Sequence, residues 1–268
     1  MELVNQDRIN IYDFEAGGQP MHELGPMIKT ALMDTGYIVI RNCNVDVEDL
    51  DAARKLVLET TEMIGTPISH DANNAIIWDI KSNGAVNGGV VTYSEHTHEA
   101  DLHTDSQYSE HPEEAFSLLS LKKADCGGGE SYLLSLKDIL TELRALPNGE
   151  RIEHVLRSFD YPFIVPNVFK KSSEAMEFNF GPLLKDNVIR FRVDTLEKAL
   201  QARPDLCTEE QIEAYKVLKE IILNSPATQY FFLEPRDLIF INNLTMLHGR
   251  SAFTDPHRHL LRVRFNLN

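Results

Sequence analysis

Cysteine is scarce: Cys43, Cys126 and Cys207 are the only three, and none forms a Cys-x-x-Cys pair. An odd, scattered set gives no disulfide framework and no thiolate zinc site, and it suits a reducing compartment. Positive charge is also short, with 26 Lys and Arg against 41 Asp and Glu, a net charge of −15. The basic residues are dispersed, which argues against nucleic acid and disfavours anionic membrane surfaces. An acidic chain fits a small-molecule substrate better, including one that carries positive charge. No apolar run approaches the ~20 residues of a membrane span. The opening Met1-Glu2-Leu3-Val4-Asn5-Gln6-Asp7 lacks the basic and apolar regions of a secretory leader. A soluble, cytoplasmic protein is expected. Walker and Gly-x-Ser-x-Gly motifs are absent, as are internal repeats and linker-like tracts.

What remains is a chain long enough to bury roughly three-quarters of its unfolded surface in one core. The first 70 residues read as a helix-strand-helix cap. His22 to Thr35 sets Leu24, Met27, Ile28, Ala31 and Leu32 on one face, with Gly36 as C-cap. Tyr37 to Ile40 reads as a buried strand, and Asp46 is placed to cap a second helix that stops near Gly65 and Pro67. Short strands follow at Ala75 to Ile80, Phe116 to Leu121 and Ser131 to Leu134, with Gly127-Gly128-Gly129 as a hairpin connection between the last two. Further strands are expected at Met176 to Phe180, Val188 to Val193, Tyr230 to Leu233, Leu238 to Ile241 and Leu260 to Phe265. A helical insert at about 195–225 holds a capping box, Thr208 with Gln211. Helices flanking many short strands predict an α+β class with a jelly-roll-like core over residues 71–268, in a single domain spanning 1–268.

The chemistry concentrates in two blocks. One is Leu102-His103-Thr104-Asp105; the other is the run from Asp237 to Leu247 closed by His248. On a regular strand, positions 103 and 105 share a face, so both side chains can aim at one point. Two imidazoles and one carboxylate form the 2-His-1-carboxylate set that holds non-haem Fe(II) and leaves coordination positions open. His103 and His248 lie 145 positions apart, so only a fold that gathers distant strands can unite them. Arg262 follows His248 by 14 residues within Leu260-Leu261-Arg262-Val263-Arg264-Phe265. Strand spacing places Arg264 on the same face.

These blocks, together with His248-Gly249-Arg250-Ser251-Ala252-Phe253, Arg258-His259-Leu260-Leu261-Arg262 and the glycine run before Ser131, resemble the taurine dioxygenase and clavaminate synthase-like superfamily. The resemblance runs in scattered stretches from about residue 100 to the C-terminus. It implies a double-stranded β-helix, a cupin-like jelly roll, and an Fe(II)- and 2-oxoglutarate-dependent dioxygenase. Iron would be bound by His103, Asp105 and His248, with O2 and 2-oxoglutarate as co-substrates. Arg262 would clamp the distal carboxylate of 2-oxoglutarate, with Arg258 and Arg264 as neighbouring candidates, and Ser131 would hydrogen-bond it. Asp105 fills the place that halogenases of this class leave to chloride, which favours hydroxylation or a related oxidation. Arg236 stands before Asp237 where relatives commonly carry Gly, a departure that bears on a turn.

The implied reaction is oxidation of a small free metabolite, such as an amino acid or derivative, with release of succinate and CO2. Ser94, Glu99 and Arg192 are substrate-contact candidates. His96 and His98 are expected at the mouth or in solvent, and His257 and His259 in an exposed turn. The alternatives are a non-catalytic β-barrel sensor of a small acid or metal, and a cupin-type metalloenzyme that does not use 2-oxoglutarate. An intact carboxylate clamp beside the metal ligands separates the oxygenase from both.

Overall fold

The computed structural model describes residues 9–70, 74–82, 96–125, 127–165 and 176–268. The chain opens with β1 (Ile11–Asp13), α1 (Phe14–Gly17), α2 (Gly25–Asp34), β2 (Tyr37–Arg41), α3 (Leu50–Glu62) and β3 (Gly65–Ile68). Strands β4 (Ile77–Lys81), β5 (Ala100–His103), β6 (Ala115–Lys122) and β7 (Ser131–Ser135) follow. Helices α4 (Leu136–Arg144) and α5 (Gly149–Ser158) lead to β8 (Tyr161–Ile164), β9 (Phe178–Gly181), β10 (Leu184–Lys185) and β11 (Val188–Ile189). The last part holds α6 (Val193–Ala202), α7 (Glu209–Asn224), β12 (Gln229–Phe231), β13 (Leu238–Asn242), β14 (Met246–Arg250) and β15 (His259–Leu267).

Two sheets carry the architecture. The larger runs β1-β2-β13-β6-β15-β3, with β4 also paired to β15, and the smaller runs β12-β7-β14-β5. Alternation along the strands sorts their side chains. Leu261, Val263 and Phe265 of β15 join Ile28, Leu32 and Val57 of α2 and α3 in one core. Leu260, from the opposite face of β15, packs with Ile239 and Ile241 of β13 and with Leu133 and Met246 of the smaller sheet. Leu134 and Leu247 face outward from the smaller sheet onto Ile139, Leu143, Ile152 and Leu218 of α4, α5 and α7. Each such buried aliphatic side chain contributes roughly 1.5–3 kcal/mol. The order helices, sheet, sheet, helices follows from these three cores.

Several expectations shift. The helical cap shares the larger sheet, because β2 pairs with β13 and β3 with β15. Asp49, not Asp46, caps α3; its carboxylate accepts from the amides of Asp51 and Ala52. The glycines at 127–129 do not turn a hairpin, since β6 and β7 lie in different sheets. Helix is also more abundant than expected: α4 and α5 occupy a stretch for which no helix was expected. The strand expected at Val188 to Val193 stops at Ile189, and Arg192 is the N-cap residue of α6. The Thr208–Gln211 capping box forms as read. Arg236 takes φ +74°, the left-handed backbone that a glycine would adopt freely. No described helix is long and apolar enough to cross a membrane.

Candidate active site

Strand pairing brings the two histidines together. β14 runs antiparallel to β5 with His248 opposite His103, and their rings lie 4.3 Å apart between centroids. Phe116 of β6 packs against His248 at 4.6 Å. Asp105 completes the group: one donor atom from each of His103, Asp105 and His248 lies within 4.8 Å of the others. The route to this geometry differs from the expected one. β5 ends at His103, so Asp105 is not held by strand alternation. It sits in a turn whose next residue, Ser106, has φ +50°.

The protonation states suit a cation. His103 Nδ1 lies 2.7 Å from the carbonyl oxygen of Asp101. A proton on Nδ1 donates there and leaves the Nε2 lone pair free for a metal. Burial pushes the His103 pKa down to about 4, against the pull of Asp105, so the ring is neutral at physiological pH. Burial, then the neighbouring His103, also lowers His248 well below the usual histidine range. Its Nδ1 is buried and has no hydrogen-bond partner among the described residues, so no protein hydrogen bond fixes the ring at that nitrogen. Burial alone would raise the Asp105 carboxyl, but Arg262, then Arg264, hold it well below the ordinary carboxylate range. Two neutral imidazoles and a firmly ionised carboxylate are a donor set that fits Fe(II).

Asp105 is gripped on its far side. Asp105 Oδ1 lies 3.8 Å from His103 Nε2, while Oδ2 accepts from Arg262 Nη1 at 2.9 Å. Arg264 Nη2 approaches the same oxygen at 3.5 Å. Its Nε lies 2.8 Å from Glu113 Oε1, an ion pair without hydrogen-bond alignment. Arg262 also reaches the ring of His70 at 3.2 Å, and that ring stacks on Trp78 with centroids 4.3 Å apart. Arg262 is thus engaged with the carboxylate of Asp105, a candidate metal ligand.

A second pair of arginines lies further along the same strands. Arg250 faces Ser131 across the β14–β7 register, two residues beyond His248 and on its face of the sheet. It donates to the carbonyls of His96 (3.1 Å), His98 (2.9 Å) and Ser251 (3.3 Å), and stacks on Phe253 at 4.5 Å. Arg258 lies over the same ring at 5.3 Å and against Gly129, where any Cβ would stand 3.1 Å from its Nε. Arg258 is 7% exposed. It makes no hydrogen bond or ion pair among the described residues. Burial, then the charge of Arg250, brings its pKa down to about 9, which still leaves it cationic at neutral pH.

The other candidates scatter. Ser94 lies outside the described residues. Glu99 is exposed just before β5 and interacts with Tyr132. Arg192 holds Asp194 through two bonds, 2.7 and 2.9 Å, and is near enough to His103 to depress its pKa. His257 is exposed as expected, whereas His259 is not: it sits on β15 with Nε2 2.6 Å from Asp79. Sequence reasoning missed Asn243, Glu113, His70 and Trp78. Only Asn243 stood inside a quoted motif, and nothing there marked its side chain as a clamp.

Comparison with known proteins follows from this geometry. No curated protein matches the sequence. Among solved structures, an asparagine oxygenase in complex with Fe(II), 3-hydroxyasparagine and succinate superposes with a TM-score of 0.71 at 20% identity, covering 91% of this chain and 79% of that one. The non-heme iron oxygenase OrfP with Fe and alpha-ketoglutaric acid gives 0.66 at 16% identity, over 92% and 78%. PvcB from Pseudomonas aeruginosa gives 0.68 at 18%, over 98% and 89%. Identities this low speak for the fold alone. The sequence itself, however, matches one family model over residues 12–264, nearly its whole length. By that match the chain belongs to the taurine catabolism dioxygenase TauD, TfdA family.

Proposed function

We propose that this protein is an Fe(II)- and 2-oxoglutarate-dependent oxygenase that hydroxylates a free amino acid or a close derivative. The observation that carries the reading is the convergence of His103, Asp105 and His248 from chain segments far apart in sequence. Bound iron would supply the coupling of O2 and 2-oxoglutarate, released as succinate and CO2, to oxidation of a substrate C–H bond. The protein's share is to hold the ligands, bind and orient the two small molecules, and exclude side reactions. His103 and His248 act as neutral ligands and Asp105 as the anionic one. The two facing sheets support a double-stranded β-helix, and the shared larger sheet supports one domain for residues 1–268. The amino-acid substrate class draws on similar structures that hold 3-hydroxyasparagine or (3S)-hydroxy-L-Arg.

The co-substrate clamp is best assigned to Arg258, with Arg250 and Ser131 beside it. Arg262 already has Asp105 as its counter-ion, whereas Arg258 is a buried guanidinium in need of an anion. Arg250 and Ser131 stand roughly 7 Å along the strand from His248, a reach that suits a short diacid bound to the metal by its other end. A planar guanidinium holds a carboxylate through two charge-assisted bonds. Arg262 then belongs to the metal centre, where it fixes the outer oxygen of Asp105. Arg192 and Glu99 are proposed substrate contacts at the mouth, Arg192 supported by its closeness to His103.

The test is an anaerobic titration of apo-protein with Fe(II) and then 2-oxoglutarate, followed by its visible metal-to-ligand charge-transfer band. The band should appear, and should vanish in His248→Ala. Iron binding without the band would favour the cupin-type reading, and no iron binding would favour the sensor.

A further inference from the structure

We infer that Asn243 is a positioning residue that fixes the metal-ligating carboxylate by clamping the main chain of Asp105. The inference rests on the metal site proposed above. Asn243 is 1% exposed and lies between β13 and β14, five residues before His248. Its Oδ1 accepts from the Asp105 amide at 2.8 Å. Its Nδ2 donates to the Asp105 carbonyl at 3.2 Å and to the Glu113 carbonyl at 3.0 Å. One side-chain amide therefore satisfies both main-chain groups of the ligand residue.

The need for such a clamp is local. β5 stops at His103, so the sheet does not hold Asp105, and the turn that follows uses left-handed backbone at Ser106. Thr104 is tied on one side, its amide donating to the Phe191 carbonyl at 2.8 Å and its Oγ1 accepting from the Phe191 amide at 3.1 Å. Asn243 ties the next residue from the other side. The contacts then close a loop. Asn243 holds Glu113, Glu113 pairs with Arg264, Arg264 approaches Asp105 Oδ2, and Asp105 returns to Asn243. Because Asn243 and His248 share one short chain segment, this loop also sets the distance between the two halves of the metal site.

A neighbour supplies the control. Asn242 is 7% exposed; its amide nitrogen donates to the Leu32 carbonyl at 3.2 Å, and its oxygen accepts from the Leu244 amide at 3.0 Å. Its contacts avoid the ligand turn. Fe(II) and Co(II) affinities should be measured anaerobically by calorimetry for wild type, Asn243→Ala and Asn242→Ala, alongside the thermal midpoints of the apo-proteins and the Co(II) spectra. Asn243→Ala should lose about 10–100-fold in metal affinity, as expected when a partner behind a ligand is removed. Asn242→Ala should stay within about threefold of wild type although its midpoint also falls. Equal affinity in Asn243→Ala and wild type would overturn the inference, as would an equal loss in both variants. A wild type that binds neither ion would instead sink the metal site itself. Should Asn243→Ala fail to fold, the nearly isosteric Asn243→Asp, which keeps the acceptor but loses both donors, reads the same comparison.

Discussion

Two pairs of buried arginines occupy the space between the sheets, and their charges are balanced by different means. Arg262 and Arg264 touch Asp105 and Glu113, so two cations meet two anions at distances of 2.8 to 3.5 Å. Burial lowers Arg262 to about 10 against the opposing pull of Asp105; at Arg264, Asp105 and Glu113 outweigh burial and raise it. Arg250 feels Tyr132 and the carboxylate of Glu99, whereas Arg258 makes no ion pair among the described residues. Carbonyl oxygens and the ring of Phe253 serve Arg250, whose pKa burial lowers to about 10, and Arg258 has only the ring. The first pair is a finished electrostatic structure. In the second, Arg258 is a buried guanidinium without an ion pair among the described residues, a charge that a folded protein tolerates where a ligand supplies the anion. The contrast is what supports assigning Arg262 to the metal centre and Arg258 to the co-substrate.

The strongest way to break the contrast is to remove the shared anion. Asp105→Ala would strand Arg262 and leave Arg264 with Glu113 alone, and losing one partner of a buried pair costs about 3–5 kcal/mol. Urea denaturation of the apo-protein should show that loss, and iron binding should disappear with it. An apo-protein as stable as wild type would mean that the pair is not closed by Asp105. The converse experiment is Arg258→Met. With no ion pair to break, apo stability should hold or rise, while 2-oxoglutarate affinity should fall by about 100-fold, roughly 2.7 kcal/mol. Arg262→Met should do the reverse, destabilising the apo-protein more than Arg258→Met does. If Arg262→Met instead removed 2-oxoglutarate binding from a stable protein, the clamp would return to Arg262.

A third carboxylate sharpens the rule. Asp237 is 1% exposed, but its nearest guanidinium, Arg41, stands off at 3.6 Å. Burial wins there and pushes the carboxyl up to about 6 from an ordinary 3.8. The folded state therefore holds a proton that the unfolded state releases between about pH 4 and 6. Asp237 stabilises relative to a non-titrating residue below that window and loses the advantage as pH rises through it. Asp237→Asn should accordingly gain on wild type from pH 4 to pH 6.5, by about 1–3 kcal/mol. Parallel stability curves for the two proteins would show that its carboxyl is not raised.

How much of this could be read from residues alone divides along the same line. His103, Asp105 and His248 were legible because a ligand set needs particular side chains, and chemistry leaves few substitutes. The strands were legible wherever short apolar runs met turn residues, as in Leu238–Asn242 and His259–Leu267. Helices α4 and α5 were missed although each buries a clear apolar stripe. The choice among the arginines was not legible for a deeper reason. Arg258, Arg262 and Arg264 have the same chemistry, and only the position of Asp105 decides which of them is already neutralised. Asp105 itself was expected on a strand and lies beyond its end, so the strand-alternation argument that put it beside His103 does not apply. Asn243 was invisible since a clamp on backbone atoms leaves no residue-type signal on the clamped side.

The smallest expected effect falls on Ser131, which the proposed clamp places at the other edge of its anion pocket. Ser131 stands opposite Arg250 in the β14–β7 register and follows Gly129, the residue that Arg258 lies against. A hydroxyl there can donate one hydrogen bond to a carboxylate that two guanidiniums already hold. One such bond contributes about 0.5–1.5 kcal/mol net, so Ser131→Ala should weaken 2-oxoglutarate by roughly 2–10-fold and leave Fe(II) affinity unchanged. Ser131→Thr should keep the bond. A loss as large as that of Arg258→Met would mean that the hydroxyl, and not the guanidinium, organises the pocket. No loss at all would place the carboxylate nearer to Arg250 and the carbonyls of 96 and 98 than to β7.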